Sequence, residues 1–155
     1  MKESKFKNLL MIFLIIFFAS FLGLKIWQNF FWPKADLYLK GKHLTVLVAN
    51  NRGHQYKGLG GRNDLGKYDG MLFVYGEKRR LGVVMRNMRF PIDVVWFNDG
   101  EVVDIAPNLQ MEPGVAEEDL RLYRPRMDAN VFLELPAGWV KAYDLEIGDK
   151  FEFVK

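Results

Sequence analysis

The chain contains no cysteine and very few of the other side chains that act as nucleophiles or metal ligands. The absence of cysteine excludes disulfides, thiolate zinc sites and cysteine nucleophiles. The two serines, Ser4 and Ser20, lie near the N-terminus, which excludes a Ser-His-Asp hydrolase in the rest of the chain, where Thr45 is the one related hydroxyl. His43 and His54 have no cysteine to complete a zinc set, and both are expected in exposed positions beside glycine turns. We therefore expect neither a metal nor a cofactor.

The excess of positive charge is confined to one end of the chain. Residues 1–32 hold four lysines and one glutamate, which leaves 18 basic and 18 acidic residues in residues 33–155. A nucleic-acid-binding domain needs a broad basic surface, so no nucleic-acid partner is expected. The overall composition, 50% hydrophobic and 26% charged, is that of a folded chain.

Residues 9–24 form an uncharged run made mostly of Leu, Ile, Phe and Met. Lysines precede the run, and Lys25 and Trp27 follow it, side chains that are favoured at a membrane–water interface. With these flanks the run is long enough to cross a bilayer, which predicts one membrane-spanning helix over residues 9–27. The alternatives are a cleaved signal peptide, although the run is not followed by a small-x-small cleavage site, and a buried core helix.

The predicted organisation has four parts. They are a cytoplasmic tail (residues 1–8), the anchor (9–27), a juxtamembrane linker (28–36) and an extracytoplasmic domain (37–155). Pro33 disfavours continuation of the helix into that domain. Lysines are similar in number on the two sides of the anchor, so the orientation rests on the tendency of long domains to be translocated regardless of charge. We expect a single-pass protein of the cell membrane with the bulk of the chain outside the cytoplasm.

Short apolar runs separated by Gly, Asn, Asp and Pro dominate residues 37–155, a pattern typical of strands joined by turns. The clearest hairpin is centred on Asp99-Gly100, a pair that tight hairpin turns prefer. The predicted strands are residues 37–39, 43–49, 71–75, 81–85, 92–97, 101–105, 131–135 and 151–153, with one short helix over 139–146 and a long loop over 107–130. The predicted fold class is mainly β, a small sandwich or barrel with one short helix, preceded by one transmembrane helix.

Seven sequence blocks stand in an order and spacing that resemble a known family. The blocks are Lys57–Arg62, Asp69–Phe73, Met85–Met88, Pro91–Val94, Phe97–Gly100, Val131–Gly138 and Ile147–Asp149. Over residues 43–154 the chain resembles the bacterial and archaeal family called domain of unknown function 192. The resemblance implies a small, mainly β domain of jelly-roll-like type, commonly exported behind a signal or anchor, with no settled biochemical role. The chain departs from the family pattern at Val83-Val84, Arg86 and Met88, where the family has Phe-Trp, Lys and Thr.

Polar side chains cluster between two apolar strands, at Arg86, Asn87, Arg89 and Asp93. Charges in such a place must be paired or solvated. One interpretation is a ligand-binding pocket made by Arg62, Arg86, Asn87 and Asp93, in which the arginines bind an anionic group and the amide orients it. The other is that Asp93 accepts hydrogen bonds from Arg86 or from backbone N–H groups and fastens a loop to the sheet.

Carboxylates permit a different hypothesis, hydrolysis by a general acid and a general base, with Asp93, Asp104 and Glu134 as candidates. Glu134 alternates with Leu133 and Leu135 along its strand, which predicts that its side chain faces solvent. The glycines of residues 58–61 lack the Lys-Ser/Thr ending of a phosphate-binding loop, so nucleotide binding is not expected.

The sequence thus predicts a membrane-anchored extracytoplasmic domain that serves as a binding or interaction module of the cell envelope. Its partners would be the membrane and a small ligand, glycan or protein segment. The alternative is an envelope hydrolase that uses Asp93 or Glu134. The binding module is favoured because the chain contains no motif with a known catalytic mechanism.

Overall fold

The computed structural model describes the backbone of residues 2–154 and the side chains of residues 6–27 and 31–154. The chain divides into two compact units, Met1–Trp32 and Pro33–Lys155. The first unit is helical and the second contains all the described strands. The prediction of a mainly β fold preceded by a single helix is confirmed.

The first unit is one helix, α1, that runs from Lys2 to Phe30. Its apolar part, Phe6–Trp27, has 22 residues, and none of their side chains is buried. At about 1.5 Å per residue this part is about as long as the roughly 30 Å hydrocarbon core of a bilayer is thick. Length and composition therefore suit a membrane span. The alternative of a buried core helix is wrong, because the apolar side chains are exposed.

The second unit contains one seven-stranded sheet. Its strands are β1 (Lys34–Leu39), β2 (Lys42–Ala49), β3 (Gly70–Arg79), β4 (Ile92–Asn98), β5 (Glu101–Leu109), β6 (Ala129–Pro136) and β7 (Phe151–Phe153). The strand order is β5-β4-β6-β3-β2-β1-β7. Neighbouring strands are antiparallel except β2 and β3, which are parallel. β1 begins at Lys34, within the range predicted as a linker.

The sheet curls until its two edges approach each other at one end. The N–H of Val102, in the edge strand β5, donates to the carbonyl of Asp149 over 2.8 Å, and the Gly148 N–H donates back to the Val102 carbonyl over 2.9 Å. The Phe151 N–H donates to the Gly100 carbonyl over 3.0 Å. These bonds satisfy backbone groups that an open sheet would leave exposed at its edges.

Two short α-helices, α2 (Arg52–Lys57) and α3 (Trp139–Ala142), and one 3-10 turn at Glu117–Asp119 accompany the sheet. Asn51 begins α2 as its N-cap, because its side-chain oxygen accepts the His54 N–H over 3.0 Å. The predicted helix over residues 139–146 is confirmed only for its first turn. Asp144 adopts a positive φ of 52°, which ends any continuation of the helix.

The predicted strand over residues 81–85 is wrong. Val83 forms an isolated antiparallel bridge with Tyr123, and the neighbouring residues pair with no strand. β3 instead continues beyond residue 75, where the predicted strand ended, to Arg79, with an irregular register after Val74. Leu81, Val83 and Met85 are nevertheless buried, so their alternation reflects a connection that packs across the sheet.

The main hydrophobic core lies against one face of the curled sheet. Its members come from β1, β2, β3, β4, β5, β6 and the turn after α3: Leu37, Leu39, Leu44, Val46, Leu72, Val95, Phe97, Val102, Val131, Leu133, Leu135 and Leu145. Residues 131–135 of β6 are all buried, so both faces of this strand are covered. The second face carries Phe132 and Glu134 and forms the candidate site.

Candidate functional site

A cleft of about 310 Å³ opens over the second face of β3 and β6. The two strands supply its floor, α2 and the glycines after it supply one wall, and the connection after β3 supplies the other. The lining residues that matter below are Arg52, Lys57, Phe73, Tyr75, Arg79, Arg86, Phe132 and Glu134. We refer to this as the Glu134 cleft. Its volume lies at the lower end of the range of small-molecule sites.

The Glu134 side chain lies at the floor of this cleft and is only 5% exposed. Its Oε2 atom is buried and has no hydrogen-bond partner in the described part of the chain. Burial raises the pKa of Glu134 from 4.5 to about 8, because the charged form loses its hydration. The carboxyl group is therefore mostly protonated at neutral pH.

The prediction that Glu134 faces solvent is wrong, although the alternation on which it was based is present. Leu133 and Leu135 do face the main core, and Glu134 does face the other way. That other face lies under the connections, whose buried residues Leu59 and Val83 line the same cleft as Glu134. The sequence signal that could have revealed this is a lone acid in an otherwise apolar strand, and it does not say what covers the strand.

Aromatic rings form much of the floor beside Glu134. The rings of Phe73 and Phe132 stack with centroids 4.3 Å apart, and the Tyr75 ring lies 6.0 Å from that of Phe132. The Arg79 guanidinium lies over the Tyr75 ring, 5.3 Å from its centroid. Burial raises the pKa of Tyr75, while the charge of Arg79 lowers it and that of Glu134 raises it. Arg79 and Glu134 therefore each lie close enough to Tyr75 to influence its ionisation.

The wall beside α2 holds Arg86 in a fixed position. The Arg86 Nε donates to both carboxylate oxygens of Glu117, over 2.6 and 2.7 Å, and one terminal nitrogen donates to the Tyr56 carbonyl over 2.9 Å. The guanidinium also lies 4.2 Å from the centroid of the Tyr56 ring. The hydrogen bonds that Arg86 donates to Glu117 raise the pKa of Arg86, and burial opposes this. Arg86 is therefore ordered in the cleft wall with its charge partly neutralised.

Asp93 is completely buried and lies outside the Glu134 cleft. Its Oδ1 accepts the N–H groups of Asn108 and Gly138, over 2.7 and 3.1 Å, and its Oδ2 accepts the Val140 N–H over 2.8 Å. These bonds tie the end of β5 and the start of α3 to β4. The geometry is that of the second interpretation offered above, in which backbone N–H groups surround the carboxylate and fasten a loop to the sheet. Arg86, in contrast, is bonded to Glu117.

The other two predicted site residues lie near the cleft wall but do not line this cleft. Asn87 is exposed and has a positive φ of 52°, and its carbonyl accepts the Gly61 N–H over 2.8 Å. Arg62 is half-buried. Of the four residues predicted to bind a ligand, the structure thus places Arg86 in the Glu134 cleft and Arg62, Asn87 and Asp93 elsewhere.

The three candidate catalytic carboxylates do not converge on one cleft. Asp93 is opposite Leu135 in the register of β4 and β6, whereas Glu134 is opposite Val94, so the two acids project from opposite faces of the sheet. Asp104 is bound by Arg126, with a terminal nitrogen 2.7 Å from Oδ1. Burial raises the pKa of Asp104, but hydrogen bonds from the side chain and backbone of Arg126 and from the Ile105 N–H outweigh it, and the net pKa is lowered.

The two histidines differ in their surroundings. His43 is exposed, as predicted, and lies 3.6 Å from Asp36. His54 is only 3% exposed, so its predicted exposure is wrong: in the first turn of α2, its Nδ1 lies 3.0 Å from the Asn51 amide nitrogen. No group of three or more His, Asp or Glu residues suited to a metal ion occurs among the described residues.

A second, more open cleft of about 580 Å³ lies on another part of the β unit. Its wall includes the four large aromatic side chains Tyr68, Phe90, Trp139 and Tyr143. The carboxylate of Asp69 in its lining already accepts the Thr45 N–H over 2.8 Å. This cleft is the larger of the two, but its lining contains no side-chain atom that is buried and lacks a hydrogen bond among the described residues. The Glu134 cleft is therefore the stronger candidate site.

The fold and the cleft define a class, a small mainly β domain whose curled sheet carries a ligand-sized cleft on one face. The family model of domain of unknown function 192 (DUF192), described as uncharacterised, matches residues 36–153. The chain belongs to this family, and the resemblance recognised in the sequence is confirmed. No curated protein matches the chain.

Two solved structures are similar to the chain. A protein of Sinorhizobium meliloti, named as a proposed transcription regulator, is 28% identical, with a TM-score of 0.69 over 79% of this chain and 95% of that one. A protein of unknown function from Novosphingobium aromaticivorans is 23% identical, with a TM-score of 0.65 over 78% of this chain and 84% of that one. The second likeness concerns the fold alone.

Proposed function

We propose that the β unit is a binding module and that its ligand occupies the Glu134 cleft. One observation carries the proposal: the Glu134 Oε2 atom is buried at the floor of a ligand-sized cleft without a hydrogen-bond partner. A buried polar group that lacks a partner costs about 1–3 kcal/mol, so such groups are rare in folded proteins. A ligand that hydrogen-bonds Glu134 would remove this cost on binding.

The hydrolase hypothesis has less support. A general acid and a general base must both reach the scissile bond, whereas Asp93 and Glu134 project from opposite faces of the sheet. Asp93 is also fully occupied by three backbone donors. Glu134 alone, protonated and surrounded by aromatic rings, suits the recognition of a ligand.

The proposal includes the cellular location. Phe6–Trp27 is long and apolar enough to anchor the chain in the cell membrane, and no small-x-small cleavage motif follows it. The proposed location of the binding unit is the extracytoplasmic side, where its partner is a component of the cell envelope. The name of the Sinorhizobium protein suggests gene regulation, but residues 33–155 have equal numbers of basic and acidic side chains, and this balance does not favour a nucleic-acid surface.

The β unit is suited to direct binding experiments without the helix. Its core cluster is drawn from residues 35–151 alone, and the Sinorhizobium protein aligns over 95% of its own length. Residues 33–155 therefore contain everything that the fold requires.

Thermal-shift measurements on residues 33–155 test the proposal. The unit is heated with soluble muropeptides, envelope polysaccharide fragments and small organic acids, one compound at a time. We expect at least one compound to raise the melting temperature, and Arg86→Ala and Glu134→Leu to lose this rise. Arg124→Ala, an exposed change outside the cleft lining, serves as the matched control and keeps it. A rise that all the variants share equally would place the ligand elsewhere and contradict the proposal.

A further inference from the structure

The charges around the Glu134 cleft are of one sign. Its lining contains four cationic side chains, Arg52, Lys57, Arg79 and Arg86, and one acid, Glu134. Among the described contacts, one of these four cations, Arg86, is bonded to an acid: Glu117 pairs with it and neutralises its charge. Because a protonated Glu134 contributes no negative charge, the electrostatic potential in the cleft is positive.

The same cleft has an apolar part. The half-buried ring of Tyr75 offers a flat surface, and the stacked rings of Phe73 and Phe132, only 2% and 3% exposed, lie beside it in the floor. Leu59 and Val83 also line this part of the cleft. Flat apolar ligands pack well against such rings, because aromatic pairs add stacking to the burial of area. The cleft thus combines an aromatic floor with a cationic rim.

We propose that the ligand of the Glu134 cleft is a small organic anion with a flat apolar body, such as an aromatic carboxylate. The inference rests on the proposed binding function and names its ligand class. The body lies against the Tyr75 ring and the exposed edges of Phe73 and Phe132, and the anionic group lies between the Arg79 guanidinium and the Glu134 carboxyl.

Glu134 supplies the hydrogen-bond donor in this arrangement. A protonated carboxyl donates its O–H to an anionic oxygen, and hydrogen bonds of this charge-assisted kind are about twice as strong as neutral ones. A cationic ligand would instead require Glu134 to ionise in a buried position, and the unpaired cations of the rim would repel it. A neutral ligand of the same shape would gain the stacking and lose the interaction with the arginines.

An NMR titration of residues 33–155 with four small probes tests the ligand class. Phenylacetate, 2-phenylethanol and 2-phenylethylamine share one aromatic body and differ in charge, while acetate has the anionic group without the body. We expect phenylacetate to produce saturable shifts in the amide signals of residues 58–60, 82–88 and 132–134. The other three probes should bind at least tenfold more weakly.

Variants locate the two polar contacts. Arg79→Gln should weaken phenylacetate binding about tenfold. Arg121→Gln is the matched control and should leave the binding unchanged. The Arg121 guanidinium lies 4.8 Å from the centroid of the Tyr123 ring, so this variant also removes a guanidinium–tyrosine contact, but one outside the cleft lining. Glu134→Leu should abolish the binding. Glu134→Gln keeps an N–H donor at this position and should retain most of the phenylacetate binding that Glu134→Leu loses. A purely structural role for Glu134 would not produce this difference between the two variants.

Two results would overturn the inference. Equal binding of the neutral or cationic probe at the same residues would refute the anionic class and still support a binding function. Absence of binding by every probe would also refute the inference, whereas the binding function itself stands or falls with the thermal-shift experiment on envelope components.

Discussion

Asp93 and Glu134 lie on the neighbouring strands β4 and β6, and both are almost completely shielded from water. Asp93 receives three backbone N–H groups, which replace the water that it loses on folding. Glu134 receives no such donor for Oε2 within the described residues, and burial raises its pKa to about 8. The first carboxylate therefore fastens connections to the sheet, and the second keeps a buried oxygen atom without a donor among the described residues.

The raised pKa of Glu134 predicts a specific dependence of stability on pH. Between about pH 4.5 and 8 the folded state keeps a proton that the unfolded chain has released, so the free energy of unfolding falls as the pH rises. The contribution is at most about 1.4 kcal/mol per pH unit. Glu134→Gln removes this contribution, and urea denaturation of both proteins at pH 5, 6.5 and 8 measures it.

The difference in stability between Glu134→Gln and the wild type is the quantity to follow, because other groups titrate equally in both proteins. As the pH rises through this window, the free energy of unfolding of the wild type should fall relative to that of Glu134→Gln. Parallel curves for the two proteins would show that Glu134 is ionised in the folded state at neutral pH.

The hydrogen bonds of Asp93 predict a large loss of stability in Asp93→Ala. The substitution leaves the N–H groups of Asn108, Gly138 and Val140 buried without their acceptor. We expect the free energy of unfolding to fall by about 3 kcal/mol or more. Chemical denaturation measures the loss, and Asp128→Ala, at an exposed position, is the control. Equal stability of the two variants would contradict the fastening role.

At the scale of elements, the cleft exists because the loop after α2 lies very close to residues 86–87. A Cβ atom on Gly60 would lie 2.8 Å from the Arg86 carbonyl oxygen and 3.1 Å from that of Lys57. The adjacent Gly61 N–H donates to the Asn87 carbonyl over 2.8 Å. Gly60 therefore permits the close approach that joins the two walls of the cleft.

This close approach predicts that Gly60→Ala separates the walls. We expect a loss of about 1–3 kcal/mol in the free energy of unfolding, which is the usual cost of overpacking, together with weaker ligand binding. Gly76→Ala is the matched control, because a Cβ there meets no atom within 4 Å and Gly76 lies outside the cleft lining. Denaturation and the thermal-shift assay report the two effects. If both variants behave alike, the contact at Gly60 does not matter.

At the scale of the whole molecule, a 29-residue helix precedes a β unit that has its own core. The apolar side chains of Phe6–Trp27 are exposed, and a bilayer would cover them, whether the segment is an anchor or a signal sequence. The lysines of residues 2–7 and the rings of Trp27 and Phe31 are side chains suited to the two interfaces.

Membrane fractionation tests the anchor. We expect the full chain to remain with vesicles after an alkaline carbonate wash and to keep its N-terminal segment, whereas residues 33–155 stay soluble. Protease added to the outside of spheroplasts should digest the β unit if it is extracytoplasmic. Release by carbonate, or a mature chain that begins after Trp32, would indicate a cleaved signal peptide instead.

Most of the strands could be predicted because they carry local signals. The β4–β5 hairpin follows from its apolar runs and the Asp99-Gly100 turn, and both residues do adopt a positive φ, of 51° and 86°. The strand predicted over residues 81–85 shows the limit of such signals. Its alternating apolar residues are buried, but a strand also needs a neighbouring strand with which to form backbone hydrogen bonds. The local sequence does not specify whether such a neighbour is present.

The sequence by itself determined the mainly β class, the family and the apolar N-terminal helix, since all three depend on residue order and local pattern. Only the tertiary structure decided that Asp93 meets backbone donors, that Arg86 meets Glu117 and that Glu134 lies in a cleft. These contacts join residues far apart in the chain, and they depend on which connections cover the second face of the sheet. Alternation specifies the face on which a side chain lies, and the packing of distant segments specifies what that face meets.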